Sequence, residues 1–218
     1  FVVSSSRAGV GAFAAGAARG AYETALNYAR KKMVAGKPLV SRQWAQTELA
    51  SMYANVCAAR ALYMESAYAN ALKGMFKLLY RRLFFYFFAF MPRWYFLLWR
   101  PFLKTRLATK LYRRYYFDRY SGAEAQASSG WASLSKFWCS DLAMETCAMA
   151  LRLMGIDGAR NDTGVEKYLR DAKLLKIYEG ANQLNRLNLF KNLAARDIPE
   201  AELFKRRTNA RHGKKSSR

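Results

Sequence analysis

Glu179 is the residue of this chain whose neighbours best suit it for chemistry. It stands between Tyr178 and Gly180, after the charged helical run from Val165 to Lys173 and ahead of Asn182-Gln183-Leu184-Asn185-Arg186. A carboxylate held just outside a helix in an apolar, aromatic setting is a candidate general base. Gly180 has no side chain, so a ligand can lie against the backbone there. The same residues also fit a plainer reading, a solvated glutamate beside a glycine that caps the preceding helix. The three residues alone leave both readings open. The only histidine is His212, in the C-terminal tail. That removes a Ser-His-Asp triad, a Cys-His pair and the Glu-x-x-His ligands of a di-iron bundle, and no metal site is expected. Acid–base work must then fall to carboxylates, tyrosines or lysines. Cys57, Cys139 and Cys147 show no paired or CxxC spacing. Cys139 and Cys147 sit in a helical pattern and read as reduced core residues, which points to an intracellular compartment.

The elements that must position Glu179 are helical. With 218 residues, 52% of them apolar and only four prolines, the chain can bury a core as one helical domain. Residues 9–32 read as a helix dense in alanine and glycine, where Gly9, Gly11, Gly16 and Gly20 allow another helix to come close. So many glycines weaken an isolated helix, so packing must hold it. Gly36-Lys37-Pro38 makes a turn. Residues 41–72 form a second helix, with Leu49, Met52, Val56, Ala59, Leu62 and Tyr63 on its apolar face. Gly130 to Met154 gives a third, with Leu134, Phe137, Trp138, Leu142, Met149 and Leu153 inward, broken by Gly155-Ile156-Asp157-Gly158. Thr163-Gly164-Val165-Glu166 fits a capping box opening a fourth helix to about Tyr178. Residues 182–195 make a fifth, with Leu184, Leu187, Phe190 and Leu193 expected inward. The tail from Pro199 is expected to be mobile. No period-2 alternation of useful length is present. The expected fold is an all-α, up-and-down helical bundle. Its parts are 1–73 with the first two helices, 74–128 as a basic aromatic insertion, 129–196 with the remaining helices and the Glu179 loop, and 197–218 as a basic tail.

The formal charge of +22 is concentrated. Residues 73–121 hold twelve Lys and Arg against Asp118 alone, and residues 204–218 add seven bases and no acid, so the rest of the chain is only mildly basic. Inside the first of these segments, residues 83–99 form an apolar run of 17 residues, rich in Phe, Tyr and Trp, with Arg93 as its one charge and Pro92 near its middle. A spanning helix needs roughly 20 apolar residues, so a hairpin or two short helices bent at Pro92 fits better than a span. Aromatics beside Lys and Arg describe an interfacial element, and 76–120 is expected to meet an anionic membrane surface, a subunit or partner, or the bundle itself. No nucleic-acid-binding module signature is present, and no nucleic-acid partner is expected.

Longer blocks add to this reading. The string VEKYLRDAKLLKIYEGANQLNRL resembles the C-terminal signature of the acyl-CoA dehydrogenase family. GVGAFAAGAARGAYETALNYARKK followed by GKPLVSRQ resembles the first two C-terminal helices of that family and the loop between them. The blocks occur in family order over roughly Arg7 to Arg196, apart from the stretch near 74–128. The resemblance implies the C-terminal helical domain of an FAD-dependent enzyme that oxidises an acyl-CoA thioester to the enoyl-CoA. It also implies that the N-terminal helical and middle β-domains are missing from this chain or lie on another polypeptide.

By position, Glu179 matches the family's usual catalytic base, and its backbone N–H is the group that would meet the thioester oxygen. Some members carry the base on the first helix before an arginine, but here that position is Ser6, before Arg7, and serine cannot serve. Arg7, Gly180 and Lys191 match substrate-binding positions, Lys191 keeping the charge of an arginine without its planar fork. Lys32, Gln43, Arg152, Gly155, Ala181, Asn182 and Gln183 match FAD-binding positions. Several differ from the family pattern: Arg-x-x-Phe-Gly-Lys becomes Lys32-Met33-Val34-Ala35-Gly36-Lys37, Gln-Ile-Leu-Gly-Gly becomes Arg152-Leu153-Met154-Gly155-Ile156, and Ala181 replaces a threonine. In this family FAD is shared across a dimer interface, and dimers often pair into tetramers. The implied partners are an acyl-CoA, a second copy of the chain, and an electron-transferring flavoprotein or membrane electron acceptor. The implied location is the cytoplasm or the mitochondrial matrix, with attachment to the membrane face if 76–120 binds lipid. The alternative function is a non-catalytic oligomerisation or membrane-docking module of a larger assembly.

Overall fold

The computed structural model describes residues 2–73, 82–92, 94–95, 97, 100–101, 105–116 and 122–198. The rest of the aromatic stretch and the tail after residue 198, on which the hairpin and mobile-tail expectations fall in part, lie outside the described residues. Helix α1 spans Val2–Lys31. A two-residue hairpin, Met33–Val34 against Lys37–Pro38, turns the chain. Its turn residues Ala35 and Gly36 have φ of 47° and 72°, the left-handed pair that matches strand twist in a tight hairpin. Helix α2 is Gln43–Lys73, α3 is Arg82–Ala89, α4 is Arg106–Tyr116 and α5 is Gly122–Met154. Short 3-10 turns at Gly155–Ala159 and Asn161–Thr163 lead into α6, Val165–Leu175. Helix α7 is Asn182–Asn192.

The expected all-α bundle is borne out. Helix α2 runs back along α1, and α5 runs parallel to α1, as the pairs Arg7 with Ser133 at one end and Lys32 with Asp157 at the other require. Helices α6 and α7 follow one another back down α5, placing the Glu179 turn between them. The core is made of small side chains. Ala14, Ala18, Ala21, Ala25 and Ala29 of α1 are fully buried, facing Met52 and Ala59 of α2, Cys139, Ala143 and Cys147 of α5, and Val165 and Ala172 of α6. Small residues at spacings of three and four let these backbones approach. Two glycines show how close. A Cβ at Gly11 would strike Ser135 Oγ, and one at Gly20 would lie 2.7 Å from the Tyr168 ring. At Gly9 and Gly16 a Cβ would meet nothing within 4 Å, so close approach explains only part of the glycine-rich run. Burial pushes the Cys139 and Cys147 thiols up to about 11 and about 12. These are inert core residues.

Several local expectations fail for identifiable reasons. The capping box does not form: Gly164, with φ 74°, takes the N-cap position, the Thr163 hydroxyl donates backwards to the carbonyls of Arg160 and Gly158, and Glu166 pairs with Arg170. Helix α6 stops at Leu175, short of Tyr178, because the chain enters the Glu179 turn. In α5, Trp138 is 48% exposed and not in the core. In α7 the inward face is reversed. Leu184, Leu187 and Phe190 are exposed, whereas Asn182 and Asn185 are buried. Helix α3 ends at Ala89 before Pro92, and among the described residues no helix is long and apolar enough to cross a membrane.

Candidate active site

The turn from Lys176 to Ala181 is fixed by donors that reach it from three helices. Glu179 and Gly180 both have positive φ, 56° and 94°. Glycine takes this conformation freely. Glutamate in it is disfavoured by roughly 1–2 kcal/mol, so contacts must hold it there. The carbonyl of Glu179 accepts from Arg7 Nε at 3.2 Å, and that of Gly180 accepts from Lys136 Nζ at 2.8 Å and Asn185 Nδ2 at 2.7 Å. The carbonyl of Lys176 accepts from Lys136 Nζ at 3.0 Å and from the N–H of Asn182 at 3.2 Å. At the end of α6 the Lys173 and Leu174 carbonyls accept from N–H groups of the turn, and the C-cap carbonyl of Lys176 accepts from an ammonium and the backbone of the next helix.

The Glu179 carboxylate is half-buried and points to the start of α1, where Ser6 Oγ donates to Oε2 at 3.0 Å. Arg7, next in sequence, bridges Glu179 and Ser133, whose Oγ accepts from Arg7 Nη1 at 3.2 Å. Burial pulls the Arg7 guanidinium down from its ordinary value and the Glu179 carboxylate opposes that pull. Ser133 in turn accepts from Asn188 of α7 at 2.7 Å. Burial raises the Tyr178 phenol, helped by the Glu179 charge. One carboxylate therefore sits at the start of α1 with its backbone immobilised from beneath, and Leu174, Ile177, Leu184 and Leu187 of the same segment of chain are exposed. This can hold a base in one orientation against an apolar ligand.

Arg7, Glu179, Gly180 and Asn182 are brought together; a Cβ on Gly180 would lie 3.5 Å from Arg7 Nη2. Asn182 faces inward, 3% exposed, with its amide shared among Lys136, Ser140, Asp141 and the Phe137 carbonyl. Ala181 and Gln183 are exposed on either side of it, and Lys191 is exposed near the end of α7. The remaining FAD-position residues lie elsewhere. Lys32 follows the last residue of α1, Arg152 lies in the last turn of α5 with Gly155 just after it, and Gln43 begins α2. Lys32 pairs with Asp157 at 2.9 Å, and Asp157 accepts from the Tyr28 hydroxyl at 2.6 Å. Those contacts hold the Asp157 carboxyl below the usual range, the Tyr28 bond contributing most. Arg7 lies near the start of α1 and Lys32 just past its end, 25 residues on, about 37 Å at 1.5 Å per residue.

Sequence reasoning missed Lys136, a fully buried lysine at the centre of the turn's hydrogen bonds, and it missed Ser133, Asn185 and Asn188. A signal for the asparagines was present: Asn182, Asn185, Asn188 and Asn192 fall at helical spacing. Lys136 gave none, since a lysine in a helix ordinarily faces water.

The family profile described as Acyl-CoA dehydrogenase, C-terminal domain, matches residues 2–78 and 103–194. The chain belongs to that family. It is 29% identical over 182 residues to a cyclohexane-1-carbonyl-CoA dehydrogenase of Geobacter metallireducens, covering 84% of this chain and 34% of the relative. It is 24% identical over 193 residues to a probable acyl-CoA dehydrogenase of Bacillus subtilis, covering 88% and 37%. The butyryl-CoA dehydrogenase structure from Megasphaera elsdenii shares its fold, with a TM-score of 0.62 at 23% identity over 88% of this chain and 37% of that one. A structure titled as the electron transferring flavoprotein of Acidaminococcus fermentans aligns with a TM-score of 0.59 at 26% identity, covering 87% and 36%. The chain therefore spans about a third of the length of the relatives it matches. The profile match breaks between 78 and 103, inside the stretch that composition sets apart.

Proposed function

We propose that this acyl-CoA dehydrogenase C-terminal domain carries the catalytic base of an α,β-dehydrogenation of an acyl-CoA thioester, and that the base is Glu179. The observation that carries this reading is the turn itself, a glutamate held in a left-handed conformation by Arg7 and Lys136, its half-buried carboxylate accepting from Ser6. Glu179 takes the α-proton. A thioester α-proton is weakly acidic, so the base must be well placed and screened from water. The N–H of Glu179 donates to the thioester oxygen as negative charge develops. Arg7 fixes the turn's carbonyl, Gly180 lets the acyl chain lie against the backbone, and Lys191 meets the polar part of the substrate.

FAD, when bound, accepts the β-hydride. The donors fit it in two halves. Lys32, Gln43, Arg152 and Gly155 suit a pyrophosphate at one end of the bundle, while Ala181 and Gln183 flank the base at the other and Asn182 sets the turn between them. About 37 Å along α1 is too far for one cofactor to reach both ends of one copy. A second copy supplies the missing half, so the working unit is a homodimer or a pair of dimers, passing electrons to an electron-transferring flavoprotein or membrane acceptor. Residues 1–218 purified alone should bind FAD weakly and turn over no acyl-CoA. A stoichiometric, active flavoprotein would overturn this.

A second reading concerns the aromatic stretch and adds a docking role. Tyr86, Phe87, Phe90, Trp94, Leu97, Leu107 and Leu111 are exposed, and in the same stretch of sequence so are Arg82, Arg100, Arg106, Lys110, Arg113 and Arg114. No Asp or Glu occurs between Glu65 and Asp118. Such a surface suits the headgroup layer of an anionic membrane. Flotation with anionic vesicles should carry the intact chain and lose it when 76–120 is deleted; equal flotation of both rejects the docking role. Should Glu179→Gln leave the activity of the assembly intact, docking or oligomerisation would be all that remains of the function.

A further inference from the structure

We propose that Lys136 is a positioning residue for Glu179, its ammonium clamping the backbone on both sides of the Tyr178-Glu179 pair and so aiming the carboxylate. This rests on the reading of Glu179 as the base. Lys136 is fully buried on α5. Its Nζ donates to the Lys176 carbonyl at 3.0 Å, the Gly180 carbonyl at 2.8 Å and Asn182 Oδ1 at 2.6 Å. Two of these acceptors bracket the turn and the third begins α7. None is a carboxylate. An ammonium taken out of water without a carboxylate in contact is expensive to bury, and what it gains here is an end-of-helix carbonyl, a left-handed glycine carbonyl and an amide. Each of these acceptors belongs to the segment that carries Glu179.

The charges facing Lys136 come from every element around it. Asp141 lies on its own helix, Lys176 at the end of α6, Glu179 in the turn and Arg7 on α1. Burial lowers Lys136 to about 8; Asp141 and Glu179 hold it up, and Arg7 and Lys176 press it down. Three acceptors need three N–H groups, which only the ammonium has. Once it loses a proton, one of the three acceptors loses its bond to Lys136 and keeps only its second donor, and the left-handed turn loses part of its support.

The test is amide hydrogen exchange on the 218-residue chain, read as protection factors in peptides covering 174–184. In the wild type, protection there should fall about 10-fold or more as pH rises through about 8, while α1 and α5 stay protected. Lys136→Met should show the low protection at both pH values with no step, and Lys136→Arg should restore protection in part and remove the step. Protection in wild type that is flat from pH 7 to 9.5, or equal in Lys136→Met, overturns the proposal. If Lys136→Met does not fold, the wild-type titration decides alone. In an assembly that turns over, Lys136→Met should lower kcat about 10-fold or more with KM unchanged. A fully active Glu179→Gln would reject the base assignment and leave the exchange result standing.

Discussion

The two ends of α1 are built differently. At its N-terminal end, Arg7 enters a polar network in which Lys136, Asn182, Asn185 and Asn188 are wired to the Glu179 turn and are wholly or mostly withdrawn from solvent. At its C-terminal end, Lys32, Asp157 and Tyr28 form a shallow cluster in which Lys32 and its ion pair are open to water. The first end is fixed by this chain alone, because a buried polar group without a partner is penalised and nearly every group there has one. The second end is a surface. Its ion pair is partly exposed, and a surface ion pair adds little to stability. One end is thus preorganised by the chain's own donors and the other is an open polar cluster.

The sharpest way to break this contrast is at Glu179. Glu179→Gln keeps the shape and the Ser6 hydrogen bond but removes the base, and should lower turnover of a competent assembly by about 100- to 10,000-fold without changing helix content. Turnover, circular dichroism and size-exclusion chromatography together check this. Lys136→Met comes next. It removes one of two donors from each of three acceptors in the buried end and should destabilise the fold by about 1–3 kcal/mol in urea unfolding. A change below about 0.5 kcal/mol would mean that the network is not what holds that end.

A smaller effect is expected where α1 meets its neighbours. Gly20→Ala puts a Cβ 2.7 Å from the Tyr168 ring and should cost about 1–3 kcal/mol. Gly16→Ala meets nothing within 4 Å and should stabilise by about 0.5–1 kcal/mol through helix propensity. The same melting assay on both separates packing glycines from the rest. The smallest effect belongs to the open end. The Asp157 carboxyl is lowered, first by the Tyr28 hydroxyl and then by Lys32. It therefore adds stability above the usual carboxylate range, and that addition is lost as pH falls through its lowered value. Asp157→Asn should leave the melting temperature at pH 7 nearly unchanged and flatten the acid limb slightly. A large loss at pH 7 would show that the open end is structural after all.

The bundle was legible in the sequence because α1, α2 and α5 each bury one stripe of small and apolar residues at helical spacing, and that stripe is what packs. The rule failed at α7 for a physical reason. Its inner face meets the polar turn and the serines of α5, so asparagines go in and leucines face out. Amphipathicity told where α7 was but not which way it faced. Glu179 was singled out by the family resemblance of the longer blocks around it, since its immediate neighbours left both readings open, whereas Lys136 was hidden because nothing local marks a lysine as buried; only the arrival of three carbonyl and amide oxygens from distant segments does. The capping box at 163–166 was misread because Gly164 offers a left-handed N-cap that a sequence pattern does not exclude.

The most direct measurement is anaerobic mixing of an acyl-CoA with the flavin-loaded assembly containing this chain, following the flavin absorbance band over a single turnover. The account predicts rapid loss of the band with wild type. With Glu179→Gln it predicts a band that persists while FAD and acyl-CoA still bind. Loss of the band at the wild-type rate in Glu179→Gln would contradict the assignment of Glu179 as the base.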